Sequence, residues 1–187
     1  PINTFDLKDS VRRIEAFYDD ILRHDVRPLT LGGDHTLSLP ILRAMAKKYG
    51  PLALLHIDAH ADINSHMFGE EIAHGTPFRR AFEEELLDAD QVFQIGLRGT
   101  GYTAEDFDWA SERGFQVVQA EQLWHQSAAP LMDQIRQQIG ARPVYLSFDI
   151  DSLDPAYAPG TGTPEIGGLT SIQALEIIRG CRGLSSV

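Results

Sequence analysis

Three short segments of the chain carry carboxylates and imidazoles at close spacing: GGDHT, HIDAHADIN and SFDID. Each segment follows a run of apolar residues. Because side chains two positions apart in an extended chain point the same way, these donors can project together if the extended conformation continues past each strand. One such segment alone is more often a loop or a helix cap, but three at successive strand ends predict a metal site, since unpaired charges beside apolar strands are costly. The predicted ligands are His35, Asp58, His60, Asp62, Asp149 and Asp151.

The donor set indicates which metal would bind. Structural zinc favours cysteine and histidine, whereas an oxygen-rich set with two imidazoles suits harder ions such as Mn²⁺. Four carboxylates would balance the charge of two divalent ions, and such a pair would activate a water for attack. The sequence therefore predicts two Mn²⁺ ions and hydrolysis. A mononuclear zinc amidase or deacetylase and a non-enzymatic metal-binding scaffold are the alternatives.

The elements that must position these residues follow from the apolar pattern. Five segments are predicted as strands: RPLTLGG, PLALLHI, DQVFQIGLR, FQVVQ and RPVYLSFDI. They alternate with amphipathic stretches predicted as helices, including AEDFDWASERG. Continuous apolar strands linked by helices favour a parallel sheet covered on both faces, with ligands beyond the carboxyl ends of its strands. We expect one three-layer α/β/α domain over residues 1–187 with a mainly parallel sheet, incomplete at both ends.

Composition excludes several classes of protein. A net charge of −11 without any basic block argues against nucleic-acid and anionic-membrane partners. The single cysteine, Cys181, excludes an internal disulfide and is interpreted as a buried thiol. No stretch reaches the roughly 18 apolar residues of a membrane span, and no signal-peptide pattern opens the chain. A soluble, cytoplasmic protein is predicted.

Taken together, GGDHTLS, HIDAHADIN and SFDIDSLDPAYAPGTGTPEIGGLT resemble the manganese-dependent ureohydrolases, the arginase and agmatinase family, over about residues 28–184. The resemblance implies an arginase-like fold, a homo-oligomer, and hydrolysis of a guanidino compound to urea and an amine. It also implies how the ions are shared: one held by His35 and Asp62, the other by His60 and Asp151, with Asp58 and Asp149 bridging both.

The resemblance further implies substrate residues. His74 in HGTPF matches the family's proton-shuttling histidine, and Asn64 matches a position that contacts the substrate carboxylate in arginases. Met67 lies in SHMFGE, which resembles the guanidinobutyrase subgroup, and Glu165 ends TGTPE, which resembles the agmatinase branch. His56 shares the face of Asp58, either as a core histidine or as a residue that orients a ligand.

Two guanidino substrates fit this combination. A carboxylate-tailed substrate such as 4-guanidinobutyrate is favoured. Agmatine, with its ammonium tail, is the alternative and would use Glu70 or Glu71 as an acidic partner. A further glutamate that fixes the guanidinium in the family is expected beyond Val187.

Overall fold

The chain divides into two compact units. The computed structural model describes residues 2–101 and 108–184. The first unit comprises residues 1–52 and 62–88, and the second comprises residues 53–61 and 89–187. The expectation of a single domain over residues 1–187 stays a prediction.

Three helices build the first unit within the described residues: α1 (Leu7–Ile21), α2 (Ser38–Tyr49) and α3 (Pro77–Glu83). The Asp6 side chain starts α1 by accepting a hydrogen bond of 3.0 Å from the Asp9 amide. The buried faces of α1 and α2 contribute the apolar side chains Val11, Tyr18, Leu39, Ile41 and Leu42. These helices match the amphipathic stretches of the sequence, because a 3.6-residue period places their apolar residues on one face.

The segment RPLTLGG is not a strand in the structure, so that prediction was wrong. Leu29 and Leu31 are 89% and 92% exposed, and no strand pairing is assigned to this segment in the described chain. An apolar alternation marks a segment that could enter a sheet. The strand itself needs a neighbour for its backbone N–H and C=O groups, and the local sequence does not specify that neighbour.

A four-stranded sheet lies almost entirely in the second unit. Its strands are β1 (Leu52–Ile57), β2 (Leu87–Leu97), β3 (Gln116–Gln119) and β4 (Val144–Phe148), in the order β3-β2-β1-β4. β1 pairs with β4 in parallel, and β2 pairs with β3 in parallel. Every residue of β1 is buried, and all of them except His56 are apolar, as expected of a strand covered on both faces. The predicted α/β class with a parallel sheet is confirmed.

Among the described residues, two α-helices pack against this sheet: α4 (Ala129–Ile139) and α5 (Ser171–Gly180). Thr170 and Gln173 start α5 with a reciprocal capping box. The core between sheet and helices includes Leu55, Ile95, Met132, Ile135 and Ile177. Part of the predicted helix AEDFDWASERG, residues 104–107, lies outside the described residues. Within the described chain, no helix is long and apolar enough to cross a membrane.

Candidate metal centre

Asp58 and His60 are brought together by a tight bend directly after β1. The strand ends at Ile57, and the His60 amide donates a hydrogen bond of 2.8 Å to Asp58 Oδ1. His60 Nδ1 lies 3.5 Å from the same oxygen. The extended conformation, which was the condition for these donors to project together, does not continue to Asp62, whose φ is 51°. An aspartate that accepts from the amide two residues later favours a turn over a strand.

Asp149 and Asp151 follow β4 in a similar way. Asp149 caps the 3-10 turn Ile150–Ser152 and accepts a hydrogen bond of 3.0 Å from the Asp151 amide. Asp151 Oδ1 accepts from the Ala59 amide at 3.2 Å, which ties this turn to the bend after β1. The two turns meet because β1 and β4 are parallel neighbours, whose carboxyl ends lie at the same edge of the sheet.

Three donors converge at this edge. One ligand atom each from Asp58, His60 and Asp151 lies within 4.8 Å of the others, and His60 Nδ1 is 3.3 Å from Asp151 Oδ2. The two aspartates are only 1% and 2% exposed. Hydrogen bonds to Asp151 and then Asp58 raise the pKa of His60 to about 10. Buried carboxylates that favour positive charge, beside an imidazole, are a donor set that fits a divalent cation. Asp149 is not part of this group of three.

Two further predicted ligands, His35 and Asp62, are in contact in the first unit. His35 Nδ1 lies 2.7 Å from Asp62 Oδ2. His35 begins a 3-10 turn after Asp34, whose side chain accepts from the Thr36 amide at 2.8 Å. The His35 ring packs edge-on against Phe78, with ring centroids 5.2 Å apart. These contacts fix the ring beside the carboxylate.

The loop between Asp62 and α3 gathers three further predicted residues. The Asn64 amide donates a hydrogen bond of 3.0 Å to the Gly75 carbonyl. A Cβ on Gly75 would lie 2.8 Å from Asn64 Nδ2 and 3.0 Å from Met67 Sδ. Both side chains therefore pack against the glycine that follows His74. The residues predicted to bind the substrate tail and to move a proton share this loop.

A tight turn closes the same loop. Met67 and Glu70 exchange backbone hydrogen bonds of 2.9 and 3.0 Å across Phe68 and Gly69, which both have positive φ. This is the backbone of a two-residue hairpin turn. The exposed ring of Phe68 lies 6.2 Å from the ring of His74. Glu70 is exposed beside it.

Glu165, predicted to bind substrate, reaches the group of three donors in the second unit. Glu165 Oε1 lies 3.6 Å from His60 Nε2. In the same loop, Thr163 Oγ1 donates a hydrogen bond of 3.0 Å to Asp151 Oδ2. The loop TGTPE thus contacts two of the candidate ligands through side chains.

Residues 1–187 match the sequence model of the Arginase family. The chain belongs to the arginase family. It is 67% identical over 186 residues to a guanidinobutyrase of Pseudomonas aeruginosa, covering 100% of this chain and 58% of that protein. It is 56% identical over 186 residues to a mitochondrial agmatinase of Gallus gallus, covering 100% of this chain and 55% of that protein. The chain thus spans a little over half the length of these curated relatives.

Among solved structures, the chain is similar to the proclavaminate amidino hydrolase from Streptomyces clavuligerus. The TM-score is 0.92 at 40% sequence identity, and the match covers 98% of this chain and 61% of that chain. The fold described above is therefore the arginase-like fold.

Arg98 of this arginase-family chain has a role that the sequence analysis missed. Its guanidinium donates to six backbone carbonyls within 3.3 Å, in Gly96, Asp151, Ser152, Leu153, Glu165 and Ile166. Burial lowers the pKa of Arg98, an effect that the nearby charge of Asp151 opposes. The arginine thereby holds the Asp151 turn and the Glu165 loop together. A charged residue directly after the apolar residues VFQIGL of a predicted strand, interrupted only by Gln94, was the available signal.

His56, which the sequence left open between two roles, contacts a candidate ligand. His56 Nε2 lies 2.8 Å from Asp58 Oδ2, and Nδ1 lies 3.1 Å from Gln94 Nε2. Gln94 was not singled out from the sequence. A polar residue inside the buried strand β2 could have drawn attention to it.

Proposed function

We propose that this chain is part of a binuclear manganese amidinohydrolase that converts a guanidino compound to urea and an amine. The observation that carries the proposal is the group Asp58, His60 and Asp151, with both carboxylates buried, in a chain of the arginase family. The guanidinobutyrase and the agmatinase match this chain along its whole length, which favours this proposal over a deacetylase or a metal-binding scaffold.

The six predicted donors would hold the ions. His60 with Asp151, and His35 with Asp62, are the two terminal pairs, and each pair is in contact. Asp58 and Asp149 would bridge the ions, an assignment that rests on the family resemblance. When bound, two divalent ions would lower the pKa of a water and stabilise the charge that develops during its attack.

The remaining predicted residues would bind and orient the substrate. A guanidinium is resonance-stabilised and always charged near neutral pH, so its carbon must be held in a fixed position for attack. Asn64 and Met67 would contact the tail of the substrate, and Glu165 would line the site beside His60. His74 would hold the proton that the departing amine requires, a task suited to an imidazole.

We favour 4-guanidinobutyrate as substrate. Asn64 suits a carboxylate tail, and the relative with 67% identity is a guanidinobutyrase. Agmatine is the second candidate, because Glu70 and Glu71 are exposed in the loop between Asp62 and α3 and a relative with 56% identity is an agmatinase. The cytoplasmic location and the homo-oligomeric state stay predictions.

Urea release by the full-length protein tests the proposal. With Mn²⁺, we expect kcat/KM to fall in the order 4-guanidinobutyrate, agmatine, arginine. Asp151→Asn should abolish urea release without loss of the fold, whereas Asp133→Asn, an exposed aspartate on α4, should leave it unchanged. No urea from any of the three compounds would overturn the proposal. One tightly bound zinc together with deacetylase activity would replace it with the mononuclear alternative.

A further inference from the structure

In the second unit, two buried polar side chains are linked to Asp58 by successive hydrogen bonds. Gln94 on β2 and His56 on β1 are both fully buried, and Asp58 follows β1 directly. Gln94 Nε2 is 3.1 Å from His56 Nδ1, and His56 Nε2 is 2.8 Å from Asp58 Oδ2. Burying polar groups of this kind costs free energy unless they are hydrogen-bonded, and such hydrogen bonds fix the orientation of the groups.

The Ala61 carbonyl fixes which atoms donate and which accept in the hydrogen bonds that join Gln94, His56 and Asp58. Gln94 Nε2 also lies 2.8 Å from the Ala61 carbonyl oxygen, which can only accept a hydrogen bond. The amide nitrogen must therefore face Ala61, and its second hydrogen points to His56 Nδ1. This orientation leaves Gln94 Oε1 without a hydrogen-bond partner among the described residues. The reverse orientation would set the amide oxygen against the Ala61 carbonyl oxygen.

The tautomer of His56 follows from this direction. Because Nδ1 accepts from Gln94, the ring hydrogen sits on Nε2 and is donated to Asp58 Oδ2. Oδ2 is thereby held by His56, while Oδ1 accepts from the His60 amide at 2.8 Å. The rotation of the Asp58 carboxylate is fixed at both oxygens.

We propose that Gln94 and His56 are positioning residues that set the rotation of the Asp58 carboxylate for cation binding. The inference rests on the proposed function in taking Asp58 as a metal ligand. Because each oxygen of Asp58 is held by a donor, the directions left open to a cation are fixed. Removing a residue that hydrogen-bonds to a metal ligand typically weakens metal affinity by about 10- to 100-fold.

The first test reads the tautomer directly. Long-range ¹H–¹⁵N correlation spectra of the metal-free full-length protein, labelled at histidine, distinguish Nε2–H from Nδ1–H rings. We expect His56, assigned by the loss of its signals in His56→Asn, to carry its hydrogen on Nε2. A hydrogen on Nδ1 in the wild-type protein would overturn the inference, even if no variant of Gln94 folds.

The second test measures Mn²⁺ affinity by isothermal titration. Gln94→Leu should weaken binding by about tenfold or more and change the tautomer of His56. Gln116→Leu is the matched control, because the side chain of that glutamine on β3 donates to the Asp90 carbonyl and not to His56. A folded Gln94→Leu protein with unchanged affinity and tautomer would overturn the inference. Failure of the proposed function would show separately, as absent urea release by the wild-type protein.

Discussion

Thr163 Oγ1 donates a hydrogen bond of 3.0 Å to Asp151 Oδ2, the same oxygen that lies 3.3 Å from His60 Nδ1. The hydroxyl therefore restrains a carboxylate that we assign to metal binding. Thr163→Val keeps the side-chain shape and removes the donor. We expect Mn²⁺ affinity, measured by isothermal titration, to fall by about tenfold. Thr161→Val, in the same loop, should retain the wild-type affinity, and equal affinities in all three proteins would contradict the prediction.

Gly99 leaves space for the His60 ring. A Cβ at this position would overlap His60 Cδ2 and lie 2.9 Å from His60 Nε2. Gly99→Ala should displace the ring, lower the free energy of unfolding by about 1–3 kcal/mol and weaken Mn²⁺ binding. Gly160→Ala is the control, since a Cβ there meets nothing within 4 Å. Calorimetric melting and metal titration check both effects, and an unperturbed Gly99→Ala protein would count against the described position of His60.

Arg98 is expected to contribute strongly to stability. Lysine keeps the charge of Arg98 but has one nitrogen in place of the planar fork that binds six carbonyls. Arg98→Lys should lower the free energy of unfolding by about 2–4 kcal/mol, because several buried carbonyls lose their donor. Urea denaturation measures the change. Arg142→Lys is the comparison variant: Arg142 Nη1 donates to the Gln138 and Ile139 carbonyls within the same stretch of chain, so this change should affect stability far less.

Asp154 gives the protein an acid-dependent contribution to stability. Hydrogen bonds from the backbone amides of Ala156, Gly168 and Gly167 lower the pKa of Asp154. A carboxylate whose pKa is lower in the folded than in the unfolded state stabilises the fold above its ordinary pKa, and this contribution is lost as pH falls through the folded-state value.

Asp154→Asn should therefore lower the melting temperature by a constant amount between about pH 6 and 8, and the difference from wild type should shrink below about pH 4. Melting curves across this range check the prediction. A difference that grows toward acid pH would have the wrong sign.

Cys181 should be a poorly reactive thiol. Burial raises its pKa to about 11, so little thiolate exists at pH 8. Alkylation by iodoacetamide should be slow in the folded protein at pH 8 and accelerate as pH approaches the raised pKa. The urea-unfolded chain should react much faster at pH 8, because its thiol pKa returns to about 8.5. Equal rates in the two states would contradict the prediction.

Much of the fold could be predicted from the sequence. The run PLALLHI became β1 and VYLSF became β4, because short, mostly apolar segments joined by helices are typical of a parallel sheet. The amphipathic period of residues 7–21 specified α1 in the same way. The segment RPLTLGG shows where this reasoning ends, since a strand also needs a partner.

For the candidate site too, some features follow from the local sequence and others depend on segments that are distant along the chain. By itself, the sequence determined the donor types, their place after β1 and β4, and membership of the arginase family, because these depend on residue identity and short-range spacing. Only the tertiary structure decided how the donors meet: through bends after β1 and β4 that hydrogen bonds from His60 and Asp151 close. It also brought Arg98 to the Asp151 turn and Gln94 to His56. Their hydrogen-bond partners are up to 68 positions away along the chain, and such partners are set by packing, which no local pattern encodes.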